Sequence, residues 1–133
     1  MDDNAGQKYP QRWQTRFAFF DKHGAPKTKE YKAAFKKEKI PARFLIGFNI
    51  LAFFFGFIYF FVLGLWRKNL SLLAATVGIG FLAGILELIT GHKVSPVALN
   101  MVCALMWATT ANYAYYLKET QNSKSWNPFE GTF

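Results

Sequence analysis

The chain has 133 residues, 52% of them hydrophobic and 19% aromatic, with 15 Phe and a formal net charge of +8. That length holds one small domain or a few membrane helices and excludes a multidomain machine. Cys103 is the only cysteine, which excludes an intrachain disulfide.

The charge is segregated. Residues 1–43 hold 11 of the 16 Lys and Arg and 5 of the 8 acids. A basic head on an apolar body fits a membrane protein facing anionic headgroups, and a head tethered beside a membrane span argues against nucleic acid as its partner. The first long apolar run starts only at Phe44, too late for the core of a cleavable signal. The first span is therefore expected to act as an uncleaved anchor.

Residues 1–11 read as a loose polar tail. From Gln11 to Asp21, Trp13, Phe17 and Phe20 recur at helical spacing beside Arg12 and Arg16, which predicts a short amphipathic helix. Gly24-Ala25-Pro26 ends it. Thr28 is placed to cap a second helix reaching Lys39. Its narrow stripe of Tyr31, Ala34 and Phe35 is ringed by Lys29, Lys32, Lys36, Lys37 and Lys39. Two readings of this head stand side by side. Trp13, Phe17 and Phe20 dip into a lipid surface while the lysines meet anionic headgroups, or the helices fold back as a cytoplasmic cap. Ile40-Pro41 marks the next boundary, with Pro41 suited to a helix start.

Three apolar stretches follow: Phe44–Trp66, Asn69–Thr90 and Val97–Leu117. The first carries no charge and, as a helix, reaches roughly 34 Å against a hydrocarbon layer of about 30 Å. The expected fold is an all-α membrane protein with three transmembrane helices. The expected organisation is a basic head at 1–43, a helical membrane domain at 44–117 and a disordered polar tail at 118–133. Tyr113, Tyr115 and Tyr116 mark a headgroup boundary at the end of the third stretch.

Orientation gives a conflict. Three spans place the head in the cytoplasm and the C-terminus outside, but leave Arg67 and Lys68 on the wrong side. The alternative is two spans plus a re-entrant hairpin, hinged near Gly56, with all main basic segments cytoplasmic. Uncovered irregular backbone is costly at membrane depth, which favours three.

Thr76, Gly80 and Gly84 form a small-residue stripe, and Ala104, Ala108 and Ala111 offer a matching face. The expected result is internal packing of these two spans, with a homodimer seam as the other reading. Glu87 lies one turn from Gly91, near the membrane edge, and is expected to pair with His92 or Lys93 rather than carry protons. Asn49, Asn100 and Asn112 are expected to hydrogen-bond between helices. His23 and His92 are isolated. No metal-ligand spacing, phosphate loop or nucleophile–base pair occurs, so neither cofactor nor enzyme activity is expected.

The stretch FNILAFFFGFIYFFVLGLWRK, Phe48 to Lys68, resembles the signature of a family of small bacterial membrane proteins catalogued as a domain of unknown function. Its pattern runs N-W-x-A-F-F-F-G-P-x-W, then an aromatic-rich run ending in R-K. Asn49, Ala52, Phe53, Phe54, Phe55, Gly56, Tyr59, Arg67 and Lys68 match. Ile50 replaces the Trp and Phe57 the Pro, and losing that Pro favours a continuous helix. The resemblance implies a bacterial inner membrane and no activity. The function expected from the residues is protein binding, as an accessory or immunity-type protein. A lipid-surface or envelope-stress role is second, and an oligomeric transporter or pore component third.

Overall fold

The computed structural model describes residues 9–133, and its regular structure is entirely helical. Six helices are described: α1 Gln11–His23, α2 Lys29–Lys37, α3 Ile40–Gly47, α4 Ile50–Val62, α5 Trp66–Thr90 and α6 Pro96–Gln121. Thr28 caps α2, its hydroxyl accepting from the Tyr31 N–H at 3.2 Å. Ser95 caps α6, accepting from the Ala98 N–H, with Pro96 at the first helical position.

The stretch Phe44–Trp66 is not one continuous helix. Phe48 is extended (φ −137°, ψ 145°), and the Asn49 side chain restarts the chain by accepting from the Ala52 N–H at 3.0 Å. The backbone N–H of Asn49 leaves the local ladder and donates to Ala108 O at 2.9 Å. Asn49 thus works as a helix cap. The break lies there, and not at the hinge expected near Gly56, which is inside α4. At 13 residues α4 is about 20 Å long, too short to cross alone.

Two stretches are long and apolar enough to cross a membrane, Ile40–Val62 and Trp66–Thr90, and three spans are not supported. The helix α6 has the length, at 26 residues. Its C-terminal half is buried in protein and carries Trp107, Thr109, Thr110, Asn112 and three Tyr, which dilute its hydropathy.

The core is built on that half of α6. Ala108, Ala111, Asn112, Ala114 and Leu117 are buried there, whereas Val97, Met101 and Val102 near its start are exposed. The head packs onto it: Trp13 lies 4.6 Å from the Tyr115 ring, Phe17 5.4 Å from Tyr116 and Phe20 5.0 Å from Tyr113. Trp13, Phe17 and Phe20 are 5%, 9% and 2% exposed, so they are core residues and do not face lipid. The aromatic side chains of α6 supply them with a partner inside the protein, and burial of each is worth about 2 kcal/mol. Lys29, Lys32, Lys36, Lys37 and Lys39 remain exposed.

The C-terminal tail is packed rather than loose. Lys68, only 2% exposed, donates to Ser125 O at 3.2 Å and lies 3.8 Å from Glu130. The Lys27 N–H donates to Gly131 O, which ties the tail to the head. Trp126 meets Trp66 edge-on at 5.3 Å, and Arg67 stacks on Trp66.

A tight turn joins α4 to α5. Gly64 has φ +79°, and the Leu65 N–H reaches back to Phe60 O at 2.8 Å. Lys118 Nζ donates to Leu63 O at 2.8 Å, and a Cβ on Gly64 would meet that nitrogen at 2.5 Å. Gly64→Ala is therefore expected to destabilise the protein by about 1–2 kcal/mol, through left-handed strain and the displaced lysine. An unchanged thermal midpoint in detergent would contradict this.

Candidate functional site

The densest polar cluster sits where the α3–α4 break meets α6. The last carbonyls of α3 have no helical partners. The Asn112 amide supplies them, donating to Ile46 O at 2.9 Å, Phe48 O at 3.1 Å and Leu45 O at 3.2 Å. Asn49 Nδ2 donates in turn to Asn112 Oδ1 at 3.0 Å. Both asparagines are 2% exposed.

A second node lies beside it. The Trp107 indole donates to Asn69 Oδ1 at 2.8 Å, and Asn69 Nδ2 donates to Phe57 O at 2.8 Å. Gly56 lets α4 approach, since a Cβ there would stand 2.8 Å from Trp107 Cγ. The first node fixes the start of α4 against the C-terminal half of α6, the second holds its middle at Phe57, and Lys118 holds its end at Leu63.

Arg16 enters the same region from α1. It is 5% exposed, stacks on the Trp13 ring at 4.6 Å, and its Nε donates to Leu45 O at 2.7 Å. Burial pulls its guanidinium down to about 10; Tyr59 opposes the fall and Arg12 adds to it. The group remains charged at neutral pH. Burial likewise pushes the Tyr31 hydroxyl up to about 12. The Tyr9 hydroxyl is raised by burial and by Glu119, to which it donates at 3.2 Å. Asp21 accepts from Tyr116 at 2.6 Å, which fastens α1 to α6.

The structure brings together some of the residues singled out from the sequence and separates others. Asn49 and Asn112 pair; Asn100 is exposed and outside their network. Glu87 pairs with neither His92 nor Lys93: its Oε1 accepts from the Val94 N–H at 2.9 Å and closes the α5–α6 turn. Ala108 and Ala111 are fully buried, as small residues facing the polar start of α4. The expected seam of Thr76, Gly80 and Gly84 on Ala104, Ala108 and Ala111 does not form. Nothing lies within 4 Å of a Cβ built on Gly80 or Gly84, and Thr76 bonds back to Leu72 O. The reason is competition: α4 already occupies the smooth face of α6.

Arg16, Lys68, Trp107 and Lys118 carried no sequence signal as partners. Asn69 had one clue, an amide at a helix start. No group of three or more His, Cys, Asp or Glu among the described residues is placed to hold a metal ion.

Comparison with known proteins points to an uncharacterised family. A family model described as "Protein of unknown function (DUF2628)" matches residues 4–121. "Uncharacterized protein YigF" of Escherichia coli (strain K12) is 39% identical over 121 residues, covering 88% of this chain and 90% of that protein. The Salmonella typhimurium protein of the same name is 36% identical over the same shares. No solved structure matches.

Proposed function

The chain belongs to the DUF2628 family, and on that premise we propose that it is a small, non-enzymatic inner-membrane protein that binds another membrane protein. The proposed membrane part is the α5–α6 hairpin. Its helices, 25 and 26 residues long, reach about 38 Å each. The α3–α4 segment dips beside them, turns at the Asn49 break and returns to the same side through α4.

One observation carries the membrane part of this reading: the two ends of the molecule differ in kind. The half of α5 away from the head is bare and apolar, with Phe81 71%, Leu88 88% and Ile89 75% exposed. The head, the Arg67-Lys68 turn and the tail gather at the other end. Among the described residues, Lys93 is the only Lys or Arg outside that end. The positive-inside bias then makes the packed end cytoplasmic. Trp66, Trp126 and Tyr115 lie at this end too, where a headgroup boundary is expected.

A photocrosslinking residue placed at Phe81 in living cells is expected to give one discrete adduct with another membrane protein. Loss of that adduct in Gly84→Leu, at unchanged protein level, supports the reading. A smear with no discrete adduct, or an adduct containing only this chain, overturns it.

A further inference from the structure

We propose that Arg12 and Arg16, with the cleft between α1 and the α3–α4 break, hold the phosphate of an anionic phospholipid. The cleft has a volume of about 100 Å³. That is room for about three waters, the scale of one phosphate group. Arg12 and Arg16 stand one turn apart on α1 and share its wall with Tyr59. Phe44, Phe48 and Leu51 form the apolar side.

A buried cation is costly without an anion. Arg16 is 5% exposed, yet no carboxylate among the described residues lies within salt-bridge distance of it. Its one described hydrogen bond, from Nε to Leu45 O, uses one of five donors. No fully buried side-chain nitrogen among the described residues lacks a partner. The remaining guanidinium N–H groups therefore open onto the cleft. Arg12 is exposed at its mouth and adds a second positive charge where like charges repel. Two guanidiniums converging on a small cleft match phosphate oxygens, which accept from them in pairs. The apolar side decides the source: Phe44 is 48% exposed, and an acyl chain lies along that wall where a free anion gains nothing from it.

The site rests on the membrane reading but not on a protein partner, so failure of the crosslinking test leaves it standing. The test is native mass spectrometry of the full chain purified in mild detergent, titrated with phosphatidylglycerol, phosphatidylethanolamine or inorganic phosphate. Phosphatidylglycerol is expected to bind to saturation and phosphatidylethanolamine far more weakly. Arg12→Gln changes an exposed side chain and leaves the fold intact. It and Arg16→Lys are each expected to weaken phosphatidylglycerol binding roughly tenfold. Lys36→Gln, on the exposed face of α2, is expected to change it little. Equal binding by wild type and Arg12→Gln overturns the proposal, as does an equal loss in Lys36→Gln. Binding of inorganic phosphate that displaces the lipid assigns the cleft to a free anion and overturns the lipid assignment.

Discussion

Asn112→Leu is expected to destabilise the protein by about 3 kcal/mol. The side chains are similar in volume, so packing changes little. What changes is hydrogen bonding at a helix end. One amide serves the carbonyls of Leu45, Ile46 and Phe48 and accepts from Asn49. Arg16 still serves Leu45 O, but Ile46 O and Phe48 O lose a donor inside the protein. A buried unmade bond costs about 1–3 kcal/mol. A membrane setting shrinks a single interhelical bond to about 0.6 kcal/mol. Here several bonds fall together, at helix-end groups with no intrahelical substitute. Asn100→Leu, at an exposed position of the same helix, is expected to stay within about 0.5 kcal/mol. Unfolding titrations in detergent compare the two, and equal midpoints would sink the idea that the asparagine pair holds the break in place.

Gly56→Leu is expected to cost about 3 kcal/mol, and Gly56→Ala about 1–2 kcal/mol. A Cβ at Gly56 meets Trp107 Cγ at 2.8 Å and Cβ at 3.0 Å. The indole has little freedom to withdraw, because its N–H is held by Asn69 at 2.8 Å. The clash would pass to the Asn69–Phe57 bond and so to the start of α5. Trp107→Leu in the Gly56→Ala background should recover part of the loss by removing the opposing ring. If the double variant is simply the sum of the two singles, the close approach of α4 and α6 is not what Gly56 provides.

This also gives a physical content to the AFFFG string. Phe54 and Phe55 are 70% and 56% exposed, and so the run of rings is largely an outer surface. Ala52, fully buried, and Gly56 are the contact residues. Hydropathy weights the phenylalanines; packing depends on the small residues between them.

The legibility of the fold in the sequence follows the same division. Helices with local signals were readable: Thr28 as a cap, Gly24-Ala25-Pro26 as a break, and the helical spacing of Trp13, Phe17 and Phe20. Their destination was not readable. An aromatic stripe reads alike whether it faces lipid or a neighbouring helix, and only Tyr113, Tyr115 and Tyr116 folded beside it decide. The break at Asn49 was masked by 23 residues without a charge, although asparagine is a strong helix cap. The tail looked disordered because its anchors, Lys68 with Glu130 and Lys27 with Gly131, lie far apart in sequence. The small-residue stripe predicted close approach without saying which helix arrives first. The Arg16 cleft was invisible for the same reason, since it is assembled from three separate segments.

The central claim is a two-span hairpin with every main basic segment on one side of the membrane. Thiol accessibility tests it most directly, in a Cys103→Ser background, using an impermeant reagent on spheroplasts. Lys93→Cys and Lys124→Cys are the probes, both at exposed positions. Lys93→Cys is expected to label in intact spheroplasts and Lys124→Cys only after lysis. Labelling of Lys124→Cys from outside, with Lys93→Cys protected until lysis, would contradict that claim.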